Sequence, residues 1–121
     1  MSVSAKELIQ IMEDFENTDK SVICRNIDLI FNTYYQFKNK RGSKRTKIIG
    51  GITQSKDNTV MAWGNSSRPI RIPFLKFLYL ARALDIPYQY MLSEDSTWLN
   101  DDMKENLRKR IAELEGVYGK D

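Results

Sequence analysis

Between Pro73 and Pro87 the chain reads F-L-K-F-L-Y-L-A-R-A-L and then D-I, and this run constrains the fold more than any other. Its apolar side chains fall on nearly every side of a helical wheel, so a helix here must be covered over most of its circumference. Asp85-Ile86-Pro87 reads as a tight corner, with Pro87 suited to the first turn of a short helix ending at Met91-Leu92. The rest of the chain has to supply the cover. No alternating polar and apolar stretch lasts long enough for a sheet, so the expected fold class is all-α.

The covering helices are announced by caps and spacing. Ser4-Ala5-Lys6-Glu7 has the S-x-x-E form of a capping box, and Leu8, Ile11, Met12 and Phe15 follow at helical intervals. A second helix is expected from Thr18 or Asp19, with Ile23, Ile27, Ile30, Phe31, Tyr34 and Phe37 on one side. Gly42-Ser43 should end it and offer Ser43 as the next cap, for a short basic helix from Lys44 to Ile49. Gly50-Gly51 reads as a break. Thr53 or Ser55 then caps a polar helix to Trp63, anchored only by Val60 and Trp63. Gly64 to Pro69 is loop chemistry. Ser93 to Asn100 reads as a linker, and a last helix from Asn100 or Asp101 carries Met103, Leu107, Ile111, Leu114 and Tyr118. The organisation expected is an N-terminal helix over 1–20, a central unit over 21–92, and a linker with a C-terminal helix over 93–121.

Charge gives the first functional clue. The chain of 121 residues carries a net +3, but residues 1–37 carry −3, residues 38–82 carry +10 and residues 83–121 carry −4. A basic centre between acidic flanks points to a polyanion. Composition excludes other chemistry. With no histidine and one cysteine, Cys24, a Cys/His zinc site cannot form within one chain, and neither can a triad that needs a His base. No metal, cofactor or enzymatic role is expected. One cysteine makes no internal disulfide, which accords with a reducing cytoplasm. No apolar run reaches the ~18 residues of a membrane span, and Lys6, Glu7, Glu13 and Asp14 interrupt any signal-peptide pattern.

The stretch L-A-R-A-L-D-I-P-Y-Q-Y-M-L, Leu80 to Leu92, resembles the closing signature of the Cro/phage-repressor (Xre-type) helix-turn-helix family. Thr59, Val60, Trp63 and Asn65 match a second part of that family's pattern, and the likeness covers about residues 22–92. The chain departs from the pattern in Ser43-Lys44, where the family usually has Thr-Gln, and in Gly64 and Ser66 around Asn65. About three extra residues lie between Gly51 and Val60. The resemblance implies a lambda-repressor-like helix-turn-helix bundle with an extra N-terminal and C-terminal helix. It implies a sequence-specific DNA-binding regulator, a repressor of phage or other mobile-element type, acting as a homodimer on double-stranded DNA.

The residues suit that role on their own chemistry. Gln54, Ser55, Lys56, Asn58 and Thr59 are side chains that read base edges in a major groove, and Met61 or Ala62 suits a thymine methyl. Lys44, Arg45, Lys47, Ser67, Arg68 and Arg71 suit phosphate positioning. Plainer readings stand beside these. The basic run may be read as a solvated face, and residues 54–59 as a capped surface helix. Asp57 is suited either to cytosine or to a helix N-terminus. Trp63, Phe74, Phe77 and Leu78 are expected in the core, Tyr34 and Tyr35 in packing, and Cys24 as a small buried residue. The stripe Met103, Leu107, Ile111, Leu114 and Tyr118 is the expected dimer seam; its alternative is to fold back on its own chain. A rival from another class is a protein-interaction module, an antirepressor or inhibitory adaptor, that keeps the helical scaffold without DNA readout.

Overall fold

The computed structural model describes residues 4–35, 41–63 and 68–119, and all regular structure among them is helical. In order the helices are α1 (Ala5–Glu16), α2 (Lys20–Tyr35), α3 (Arg41–Thr53), α4 (Asp57–Trp63), α5 (Phe74–Leu84), α6 (Tyr88–Met91) and α7 (Asp101–Tyr118). The expected caps at Ser4 and Asn100 are in place. The Ser4 hydroxyl accepts from the Glu7 amide at 3.1 Å, and the Asn100 side chain accepts from the Met103 amide at 2.9 Å. Asp19 opens α2 by accepting from both the hydroxyl and the amide of Ser21. Those two bonds, the hydroxyl's first, hold the Asp19 carboxyl below its ordinary value. Whatever support this cap gives is present above the ordinary Asp value and is lost as the pH falls through the lowered one.

The apolar α5 is central, as its composition demands. Phe77, Leu80, Ala81 and Leu84 are buried on it, while Phe74 and Leu78 pack partly buried against the same core. Its end is a left-handed residue, Asp85 at φ 56°. There the Ile86 amide reaches back to the Ala81 carbonyl at 3.2 Å, the six-to-one bond of a Schellman stop. Ile23, Ile27, Ile30 and Phe31 of α2, Ile48 and Ile49 of α3, and Leu107, Ile111 and Leu114 of α7 close around it in one cluster. The outer helices α1 and α7 therefore contribute to the same core as the segment between them.

Two local expectations are corrected. Gly42-Ser43 neither ends α2 nor caps α3, because the chain is already helical at Arg41. Gly50-Gly51 lies inside α3, which continues to Thr53. Its glycines serve close approach. A Cβ on Gly50 would lie 2.9 Å from the Ser55 carbonyl oxygen, and one on Gly51 would enter the ring of Tyr118 at the end of α7. Glycine's helix cost of ~1 kcal/mol is outweighed where another backbone or ring must come that near.

The stripe on α7 is also corrected. Leu107, Ile111 and Leu114 are buried, Met103 is half-buried and Tyr118 lies over Gly51. They pack against α2, α3 and α5 of their own chain. Polar ties hold the same geometry: Arg110 donates to the Ala83 carbonyl at 2.7 Å, Arg108 to the Thr33 carbonyl at 3.0 Å, and the Tyr34 hydroxyl meets Glu115 at 3.2 Å. The stripe folds back in cis and is not available as a dimer seam. On α1, by contrast, only Ile11 and Phe15 of the expected apolar face are buried; Leu8 and Met12 stay exposed.

Candidate nucleic-acid interface

The polar helix expected from a cap at Thr53 or Ser55 begins later, at Asp57, because the residues before it form a turn. Helix α3 stops because Gln54 takes the left-handed conformation, φ 54°. The Ser55 amide then donates to the Gly50 carbonyl at 3.0 Å, another six-to-one stop. Gln54, Ser55 and Lys56 form a three-residue turn, and α4 begins at Asp57. The turn is pinned from inside. The Thr53 hydroxyl bonds the Ile49 carbonyl at 2.7 Å and the Ser55 hydroxyl at 3.0 Å, and Lys76 of α5 donates to Ser55 Oγ at 2.6 Å.

Of the five expected base readers, the structure therefore places three near the start of α4. Asn58 and Thr59 are exposed in the first turn of α4, and Lys56 is exposed at the end of the turn before it. Gln54 is exposed but sits in the turn, and it lines a depression with Tyr79 and Arg82 of α5 and Arg110 of α7. Ser55 is half-buried and already bonded, so it is corrected from reader to turn residue. Helix α4 itself is anchored by Val60 and Trp63, both buried. At 100° per residue, Asn58 lies on the side opposite that anchor, flanked by Met61 and Ala62. Met61 is exposed and Ala62 half-buried. Asp57 is exposed in the first turn, where the helix N-terminus favours a negative charge.

The phosphate candidates divide more sharply. Arg45 is buried: its guanidinium meets Asp28 of α2 at 2.7 Å and lies 5.8 Å from the centre of the Phe31 ring. Arg71 donates to the carbonyls of Phe15 and Thr18 at 3.0 and 2.7 Å and covers the Phe15 ring at 5.2 Å. It adds a donor at the C-terminal end of α1, where the Phe15 carbonyl also accepts from the Thr18 amide at 3.2 Å. Arg45 is therefore corrected from a phosphate contact to an internal tie, while Arg71 is exposed and bonded to the backbone at the end of α1. Lys47 is half-buried and engaged within the chain. Arg68 is exposed. Ser67 and the side chain of Lys44 lie outside the described residues, as does the Gly64–Ser67 part of the loop.

One residue was missed. A shallow depression lined by Lys20, Ala62, Arg68, Pro69 and Ile70 joins the start of α2 to the end of α4. Lys20 was counted with the acidic first segment, and only the fold brings it beside Arg68. Cys24 is buried, its thiol pushed up by burial while it donates to the Ile70 carbonyl at 3.4 Å. Among the described residues no group of three or more His, Cys, Asp or Glu could hold a metal, and no helix is long and apolar enough to cross a membrane.

The turn offers a check on these assignments. Left-handed backbone costs a non-glycine residue ~1 kcal/mol or more, so Gln54→Gly is expected to raise stability by about 0.5–1 kcal/mol in a urea melt. A loss of stability would mean that the Gln54 side chain holds the turn.

No family model, no curated protein and no solved structure matches this chain.

Proposed function

We propose that this chain is a sequence-specific DNA-binding transcriptional regulator, a repressor that acts by occluding a promoter, with two copies reading two half-sites. The observation that carries the reading is α4. Two buried side chains fix it, and its opposite side presents Asn58 and Met61 to solvent, with Thr59 exposed beside them and Lys56 exposed in the three-residue turn that leads into the helix. Two helices joined by such a turn are the unit that lays a helix in a major groove. Asn58 is the central reader, through a bidentate contact to adenine, with Lys56 donating to guanine and Met61 against a thymine methyl. Lys20 and Arg68 flank the helix and hold phosphates.

Selection from random duplexes at physiological salt tests the reading. A single enriched motif is expected. Asn58→Ala should cost about 1–3 kcal/mol and relax one position of that motif. Arg68→Ala should weaken all sequences alike and reduce the salt slope by about 1. If no motif is enriched, DNA readout fails and the interaction-module reading takes its place. One observation favours that rival: of the basic segment, Arg45 is buried against Asp28, Lys76 is half-buried on Ser55, and Arg71, though exposed, is bonded to the carbonyls of Phe15 and Thr18.

A further inference from the structure

The apolar face of α1 is wider than the stripe its own chain covers. Ile11 and Phe15 are buried, but Leu8, Ile9 and Met12 beside them are exposed, Ile9 by 53%. Leu75 and Tyr79 of α5 are exposed too, and they line a groove of about 870 Å³ together with Leu8 and Ile11. Five of the large exposed apolar side chains of the molecule thus lie on two neighbouring helices. Such a patch marks an interaction surface.

The charges along its border say what fits there. Lys6 and Glu13 are seven residues apart, two helical turns, so they stand on one edge of the exposed strip near opposite ends. Both are exposed, and neither side chain has a hydrogen bond or ion pair to a described residue. A helix laid antiparallel across a two-fold axis brings like edges together, because an isologous contact pairs each patch with itself. With the axis between Ile9 and Gln10, Lys6 of one copy meets the partner's Glu13, and the partner's Lys6 meets Glu13. Ile9 then lies within one residue of the partner's Ile9 across the axis. The opposed helix dipoles are also favourably aligned.

We infer that this face is the seam of a homodimer: α1 of a second copy lies antiparallel to α1, along the groove walled by Leu75 and Tyr79. The inference deepens the two-copy part of the reading above by naming the surface, while its evidence owes nothing to DNA. The two are tested apart, since this test uses no nucleic acid.

Sedimentation equilibrium of the full chain over a concentration series is the experiment. The wild type is expected to reach twice 14.2 kDa. Ile9→Glu should raise the dissociation constant at least about tenfold by placing two carboxylates near the axis. Because Ile9 is exposed, the variant should keep the wild-type helical circular dichroism. Lys6→Glu and Glu13→Lys should each weaken the dimer, and the double variant Lys6→Glu/Glu13→Lys should recover it. The inference is overturned if the wild type is monomeric at every concentration, which leaves the groove to a helix of another protein. It is equally overturned if Ile9→Glu leaves the dimer intact, or if the double variant associates no better than the single ones.

Discussion

Trp63→Ala is expected to lower the free energy of unfolding by about 3–5 kcal/mol, the range for removing a fully buried aromatic side chain. Trp63 is among the largest buried side chains of the molecule, and with Val60 it is the whole inward anchor of α4. A seven-residue helix cannot hold itself in water, so its persistence depends on those two contacts. Removing the indole also withdraws the surface over which the Lys76 ammonium sits, 6.0 Å from the ring centre. The same lysine holds Ser55 in the turn. Urea melts followed by circular dichroism measure the loss. Trp63→Phe should recover more than half of it. If Trp63→Ala instead costs less than about 1 kcal/mol, α4 is not anchored as described. On the DNA reading, the variant should also lose motif selection at temperatures where it is still mostly folded.

The second large effect is expected at Asn26. It is fully buried on α2, and its amide nitrogen faces the carbonyls of Met91 at 2.9 Å, Ser93 at 2.8 Å and Tyr90 at 3.4 Å. One side chain thus satisfies the end of α6, while Arg25 donates to the Ser93 and Glu94 carbonyls from beside it. Asn26→Ala takes the side-chain donor from the buried Met91 carbonyl and leaves the Ser93 carbonyl to Arg25, and should cost about 1–3 kcal/mol. Asn26→Asp should cost more at neutral pH, about 3–5 kcal/mol, because it sets a buried charge against carbonyl oxygens. The sign of its pH dependence follows. That surrounding disfavours the carboxylate, so the folded-state value is raised above the unfolded value of about 3.9. The variant keeps most stability below that value, loses it as the pH rises, and has lost it fully once the raised value is passed. Asn26→Ala should show no such dependence. Equal penalties for Asn26→Asp at pH 3 and pH 7 would contradict this account.

Much of the fold is legible in the chain, because caps and helical spacing are local. Ser4, Asn100, the apolar α5 and the corner at Asp85 could each be read from a few neighbouring residues. The errors share a cause of another kind. Gly50 and Gly51 read as a break because propensity is local, whereas the carbonyl and the ring they admit come from elsewhere in the chain. Arg45 and Arg71 read as free cations because no sequence rule brings Asp28 to one or the carbonyls of α1 to the other. The α7 stripe shows that a face is apolar without showing whose face it meets. At the candidate interface Lys56, Asn58 and Thr59 needed only composition, while Lys20 needed the fold.

The attachment of α1 has a consequence for how the molecule moves. Two side chains, Ile11 and Phe15, and the arginine that donates at its C-terminal end connect this helix to the rest. Helix α3, in contrast, lies between α2, α4, α5 and α7. Opening is therefore graded: releasing α1 exposes little surface and takes a fraction of the global free energy, whereas the amides of Ile48 and Ile49 exchange only when the whole core does. A partner that covers α1 would slow hydrogen exchange there first. The helix that anchors the least is thus the most sensitive reporter of what the protein is bound to.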